Sequence, residues 1–147
     1  MMRAVILLTC VAGVVGSATT GLGSNWLRGA VTGWALVIHL LFAPLVLAGF
    51  AAAALMWGRA HRFDSERCGG CGALGVARKT CFWLAVACAG GVSATFVAAA
   101  APLFAYSGQH QLMEWHERSG VGLLASGAAY VWFAARRPRG GVGKHAA

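Results

Sequence analysis

Five histidines (His39, His61, His110, His116 and His145) and five cysteines (Cys10, Cys68, Cys71, Cys81 and Cys88) are the residues of this chain best suited to chemistry. Imidazole ligates metals and haem iron and carries protons near neutral pH. Which of these side chains can act together depends on where they lie. His145 falls in a basic, Gly-rich tail, and His61 in a polar segment rich in arginine. His110 and His116 belong to "GQHQLMEWHERSG", directly ahead of an apolar run. His39 lies in "WALVIHLLFAP", with uninterrupted apolar sequence on both sides. An ionisable side chain at such depth in a lipid-facing element is costly and faces the interior of a bundle. His39 therefore reads either as a hydrogen-bonding partner for a neighbouring helix or as a cofactor ligand.

The elements that must carry these side chains are membrane spans. Charged residues make up 11% of the 147 and apolar ones 59%, against roughly 25% charged in soluble domains. Four apolar stretches approach the roughly 20 residues that a spanning helix needs. They run from 4 to about 22, from about 29 to 57, from 81 to about 104, and from about 112 to 135. The expected fold is all-α, a four-helix transmembrane bundle over residues 1–135, followed by a basic Gly-rich tail over 136–147 that is expected to be disordered. No internal repeat stands out. The first stretch has two readings, since Met-Met-Arg, a short apolar core and "GSATT" also fit a signal peptide cleaved near Ala18. A single basic residue ahead of the core and the short link to the second span favour a retained helix.

Lysines and arginines set the expected orientation. Arg59, Arg62, Arg67, Arg78 and Lys79 lie between spans two and three. Arg136, Arg137, Arg139 and Lys144 follow span four, and Arg3 precedes span one. Only Arg28 and Arg118 lie on the other side. Both termini are thus expected in the cytoplasm and the two short loops outside, with the chain a multi-pass membrane protein. The net charge of +8 follows this topology and forms no basic face at helical spacing, so no nucleic-acid partner is expected. Membrane lipid is.

Depth can be counted from these anchors. Twenty residues separate His39 from Arg59, and 20 separate His116 from Arg136, which places both imidazoles roughly 30 Å from the cytoplasmic boundary. Spans two and four run the same way, so equal counts mean equal height. Two imidazoles at one height on parallel neighbouring helices suit a haem iron held from both faces. Gly120 and Gly127 follow His116 by four and eleven residues, near the same helical face, leaving room for a flat ligand or for close helix packing. Arg28 and Arg118 are the basic residues available for haem propionates at the outer side, and Arg118 can equally pair with Glu114 and Glu117.

The segments "HLLFAP" and "GQHQLMEWHERSGVGLL" together resemble the small four-helix b-type cytochromes of bacteria, the superfamily that includes membrane subunits of formate dehydrogenases and hydrogenases. The resemblance spans most of the chain on short, hydrophobic motifs. It implies haem b bound by histidines of the second and fourth helices, and electron exchange with quinone and a partner redox subunit. Many relatives hold two haems through histidines about fourteen residues apart. Here Tyr130 stands fourteen after His116, and Asn25 and Ala53 stand fourteen either side of His39. The expectation is one haem b, with His39 and His116 as iron ligands. In a shifted register His39 would face Tyr130 and His116 would face Asn25. The chain would then be a haem-free structural or assembly subunit.

"RCGGCG" places Cys68 and Cys71 in the loop between spans two and three. With Cys81 and His61 they form a candidate metal set, but a single CxxC in a reducing compartment fits free or redox-active thiols better. Cys10 and Cys88 read as small apolar residues within spans. All four carboxylates are expected outside the apolar cores, which disfavours cation-coupled transport, and no catalytic constellation is visible.

Overall fold

The computed structural model describes residues 1–28, 32–63, 72–100 and 106–136. Four long helices account for nearly all of them: α1 (Met2–Arg28), α2 (Gly33–Trp57), α3 (Ala73–Ala100) and α4 (Tyr106–Ala135). A 3-10 turn, η1 (Gly58–His61), continues α2. Among the described residues there is no strand. The 136–147 tail beyond Arg136 and the Cys68–Cys71 pair lie outside the described residues.

Helices are what apolar stretches of this length must form in lipid, because every backbone N–H and C=O has to be satisfied within its own segment. α2 opens at Gly33 with a φ of 59°, a left-handed conformation that only glycine adopts at little cost. Pro44 sits inside α2, one turn beyond Leu40, whose carbonyl it deprives of the usual i+4 donor.

Three helices are long and apolar enough to cross a membrane, over Met2–Gly23, Gly33–His61 and Ala73–Ala99. α4 is just as long at 30 residues, but its first half carries His110, Glu114, His116, Glu117 and Arg118. The outer faces of the bundle are apolar: Leu8, Leu41, Leu55, Val97 and Val131 are all well exposed.

The helices pack as two hairpins, α1 on α2 and α3 on α4. The hairpins meet through a seam between α2 and α3 and a thinner one between α1 and α4. Cyclic order therefore follows chain order, and α2 and α4 stand on a diagonal. Small residues let the paired helices approach. A Cβ at Gly13 would lie 2.8 Å from the Val46 backbone nitrogen, and one at Gly49 would lie 2.9 Å from the Cys10 Sγ. In the second hairpin Gly122 takes the Cys88 Sγ and Gly91 the Ser119 Oγ at the same 2.9 Å. Cys10 and Cys88 are thus knobs set into glycine holes. The buried centre is small, made of Val46, Ala85, Ala89 and Leu123.

Close backbone approach of this kind tolerates no added methyl group. Gly13→Ala is expected to lower stability by about 1–3 kcal/mol, whereas Gly23→Ala, with open space at its Cβ, is expected to leave it unchanged or slightly raised. Thermal unfolding of the two variants in detergent checks the contrast.

Candidate cofactor site between the hairpins

On α2, His39 turns into the bundle and meets α1. Its Nδ1 lies 3.1 Å from the Ser17 carbonyl oxygen and 3.2 Å from the Thr20 Oγ1. The Thr20 hydroxyl donates its proton to the Gly16 carbonyl at 2.6 Å, so toward the imidazole it offers a lone pair. Two acceptors face Nδ1, which must therefore carry the proton. The Nε2 lone pair remains available, and that is the tautomer a metal-ligating histidine needs.

The second hairpin repeats this arrangement. The His116 Nδ1 lies 3.1 Å from the Val92 carbonyl and 3.1 Å from the Thr95 Oγ1, and Thr95 donates to the Gly91 carbonyl at 2.7 Å. Moving Gly16, Ser17 and Thr20 along the chain by 75 residues (91 − 16) gives Gly91, Val92 and Thr95. Moving His39 and Phe42 by 77 (116 − 39) gives His116 and Ser119. The two halves are structurally equivalent around their histidines, although their side chains elsewhere differ enough to hide the repeat in the sequence.

The two rings face each other across the bundle, with centroids 6.1 Å apart and planes at 72°. A metal held at about 2.0–2.1 Å by one nitrogen of each of two opposed imidazoles separates the ring centres by roughly 6 Å. The spacing thus suits an iron between them. The histidine-bearing helices stand on a diagonal rather than side by side as neighbours. A group between them would lie in the bundle interior.

A cavity of about 560 Å³ contains both histidines and is walled by all four helices. Its α1 side is cut from small residues, Ser17, Ala18 and Gly21, while Phe96 occupies the place on α3 that corresponds to Gly21. A Cβ at Gly21 would lie 2.8 Å from the His39 Cε1, so glycine there is what lets the ring sit against α1. Gly120 lines the cavity and has open space at its Cβ. Gly127 is equally unobstructed but is not part of the wall. Glu114 and Glu117, expected at the water-facing end, also line the cavity, together with His110. Arg118 bonds Glu114 at 3.2 Å, lies 5.6 Å over the Trp115 ring and does not reach the wall. Arg28 closes α1, and its side chain lies outside the described residues, as does that of Asn25.

His61 is placed differently from the expectation of a loop residue. It is 7% exposed and fixed on both nitrogens. Nδ1 donates to the Trp57 carbonyl at 2.9 Å, so Nε2 accepts from the Tyr130 hydroxyl at 3.3 Å. The ring stacks on Phe82 with centroids 4.1 Å apart, and the Trp83 Nε1 donates to the His61 carbonyl at 3.0 Å. Tyr130 therefore closes one end of the bundle with His61, and His39 faces His116. Sequence periodicity could not find this plug, because it depends on η1 setting His61 against Phe82 of α3 and Tyr130 of α4. Cys81 is a free thiol on α3, and among the described residues no three His, Cys, Asp or Glu side chains converge on an ion.

No family model, no curated protein and no solved structure matches this chain. The class that fold and site define is a helical membrane protein with a paired-histidine cavity.

The plug residues His61 and Tyr130 are not part of the cavity wall. His61→Ala is expected to cost about 2–4 kcal/mol through vacated volume and broken hydrogen bonds, and Tyr130→Phe about 1 kcal/mol. Unfolding midpoints in detergent report both losses. Neither substitution is expected to alter ligand binding at His39 and His116.

Proposed function

We propose that the protein is a membrane b-type cytochrome of the bacterial cytoplasmic membrane, holding one haem b between His39 and His116, with both termini on the cytoplasmic side. Its role is to pass electrons between a quinone and a partner redox protein. When bound, haem supplies a one-electron Fe(III)/Fe(II) couple. The chain's residues orient the ligands and exclude water. Ser17 and Thr20 hold the His39 ring, and Val92 and Thr95 hold that of His116, each by fixing the proton on Nδ1.

The observation that carries this reading is the paired imidazoles 6.1 Å apart inside a cavity. Two protein ligands without a third fit a macrocycle that brings its own four equatorial nitrogens, and fit poorly a bare ion that needs four protein donors. Open space at Gly120 leaves one flank of the site free for the plane of such a group. Arg118 would have to leave Glu114 to meet a propionate, and Gly127 stands away from the wall, so His39, His116 and Gly120 carry more of the proposal than Arg118, Arg28 or Gly127. A haem-free scaffold subunit is the second reading, favoured by the His61–Tyr130 plug at the end where many of the resembled cytochromes hold a second haem.

A reduced-minus-oxidised visible spectrum of the purified protein, with haem quantified per chain, separates the two readings. One haem per chain with a sharp b-type band is expected, and either His39→Ala or His116→Ala is expected to abolish it. A normal spectrum in His39→Ala would overturn the pairing, and a wild-type protein free of haem from haem-replete cells would establish the scaffold reading.

A second test uses the site's unequal glycines. Gly21→Ala pushes against the His39 ring and is expected to reduce haem retention at least tenfold, a loss of about 1.4 kcal/mol in binding. Gly120→Ala fills open space and is expected to retain haem. Haem content after size-exclusion chromatography reads the difference.

A further inference from the structure

The two threonines beside the paired histidines do more than hold the rings. One carbonyl is enough to keep the proton on Nδ1, and each histidine has one, from Ser17 for His39 and from Val92 for His116. Each ring nonetheless meets a second oxygen at the same nitrogen, the Thr20 Oγ1 at 3.2 Å and the Thr95 Oγ1 at 3.1 Å. The residues around them differ between the hairpins, Ser17 against Val92 and Gly21 against Phe96. Yet both hairpins set a threonine four residues after the glycine whose carbonyl takes its proton.

The hydroxyl protons are accounted for. Thr20 has the Gly16 carbonyl at 2.6 Å and the Ser17 carbonyl at 3.4 Å, and Thr95 has the Gly91 carbonyl at 2.7 Å and the Val92 carbonyl at 3.0 Å. One proton shared between two carbonyls leaves none for the imidazole, so each oxygen meets the Nδ1–H with a lone pair. Bonding to its own helix also fixes the threonine χ1, which holds that lone pair in place. Thr19, one residue earlier, makes the same kind of bond, to the Val15 carbonyl at 2.9 Å, but is exposed.

An N–H that gives to two acceptors is more polarised than one that gives to one, and the electron density gained reaches Nε2 through the ring. An imidazole bonded in this way is the stronger ligand, and it favours the more positive state of the metal it holds. We infer that Thr20 and Thr95 are positioning residues that strengthen His39 and His116 as donors through Nε2, and so lower the reduction potential of an iron held between them. For its iron this rests on the cytochrome reading above, whereas the hydrogen bonds are present without it. Neither threonine lines the cavity, so replacing one leaves the wall residues in place.

The test uses the full chain in detergent with Thr20→Val, Thr95→Val and both together, which keep the side-chain shape and remove the lone pair. Thr20→Ser and Thr95→Ser restore the hydroxyl, and Thr19→Val is the control. In a potentiometric titration of the haem-loaded protein, each valine variant is expected to shift the Fe(III)/Fe(II) ratio about threefold toward Fe(II) at a fixed potential, and the double variant about tenfold, or about 59 mV for a one-electron couple. The serine variants and Thr19→Val are expected to match the wild type. Unchanged potentials in both valine variants would overturn the inference, since valine conserves the packing. In the haem-free protein the proton resonance of the His39 Nδ1–H is expected to move upfield in Thr20→Val, and that of His116 in Thr95→Val. Unmoved resonances would overturn the inference whether or not haem binds. A wild-type chain that takes up no haem, with the resonances still moving in the variants, would sink the cytochrome reading alone and support the bonding given to the threonines.

Discussion

The bond from an imidazole Nδ1 to a carbonyl of the neighbouring helix is the contact on which the rest of the site depends. It occurs twice, at 3.1 Å each time, from His39 to Ser17 and from His116 to Val92. Each carbonyl belongs to a helix, so an imidazole can approach it only if the two helix axes are close. Closeness in turn demands small residues along the pair, which is where Gly13, Gly16 and Gly21 in α1 and Gly91 in α3 enter. A threonine one turn further along then adds a lone pair, because its own proton is committed within the helix. Ring orientation, tautomer and helix spacing are thus set together. None of the three can be changed alone.

This constraint also explains where the bundle is solid and where it is hollow. Within each hairpin the helices are drawn together by the glycines, and the hairpins then meet along less intimate seams. Toward one end the space between them is filled by Val46, Ala85, Ala89 and Leu123, and beyond these by the stack of His61 on Phe82. At the level of the paired histidines it opens into the cavity. The asymmetry between Gly21 and Phe96 places the greater room on the α1 side, so two hairpins alike in their hydrogen bonds enclose an off-centre volume. A flat occupant touching all four helices would strengthen the weakest seams, coupling its binding to the stability of the whole bundle.

Much of this was legible in the sequence, and the failures have physical causes. Four helices follow from four apolar runs. Counting 20 residues back from Arg59 and from Arg136 brings His39 and His116 to one height, and the structure sets their rings 6.1 Å apart, edge to face. Counting gives height but not azimuth, so it could not show that α2 and α4 stand on a diagonal. The threonine and carbonyl partners were illegible because a backbone acceptor leaves no mark on residue type, and Thr20 and Thr95 look like any polar residue in a span. Gly21 was hidden for the same reason, as its role appears only when His39 is beside it. His61 was read as a loop residue because its neighbours are basic, yet η1 sets it against Phe82 and Tyr130. Glu114 and Glu117, assigned to water by their charge, are exposed and also line the cavity, which charge alone could not show.

The distribution of charge links these features. Among the described residues the carboxylates gather at the end of the bundle where the cavity lies, while Arg59, Arg62, Arg78 and Arg136 gather at the other. Arg118, the described cation within the acidic end, is neutralised locally by Glu114. In a membrane an arginine-rich end favours the cytoplasmic face. The proposed orientation then sets the cavity in the outer half of the bilayer and the His61–Tyr130 plug in the inner half. A redox group in that cavity would exchange electrons most readily with partners on the outer side or within the membrane, because in this orientation the 20 residues from His116 to Arg136 would separate it from the cytoplasm. In that arrangement the plug and the arginines around it would lie in the inner half of the bilayer, and the proposed electron transfer would belong to the opposite half.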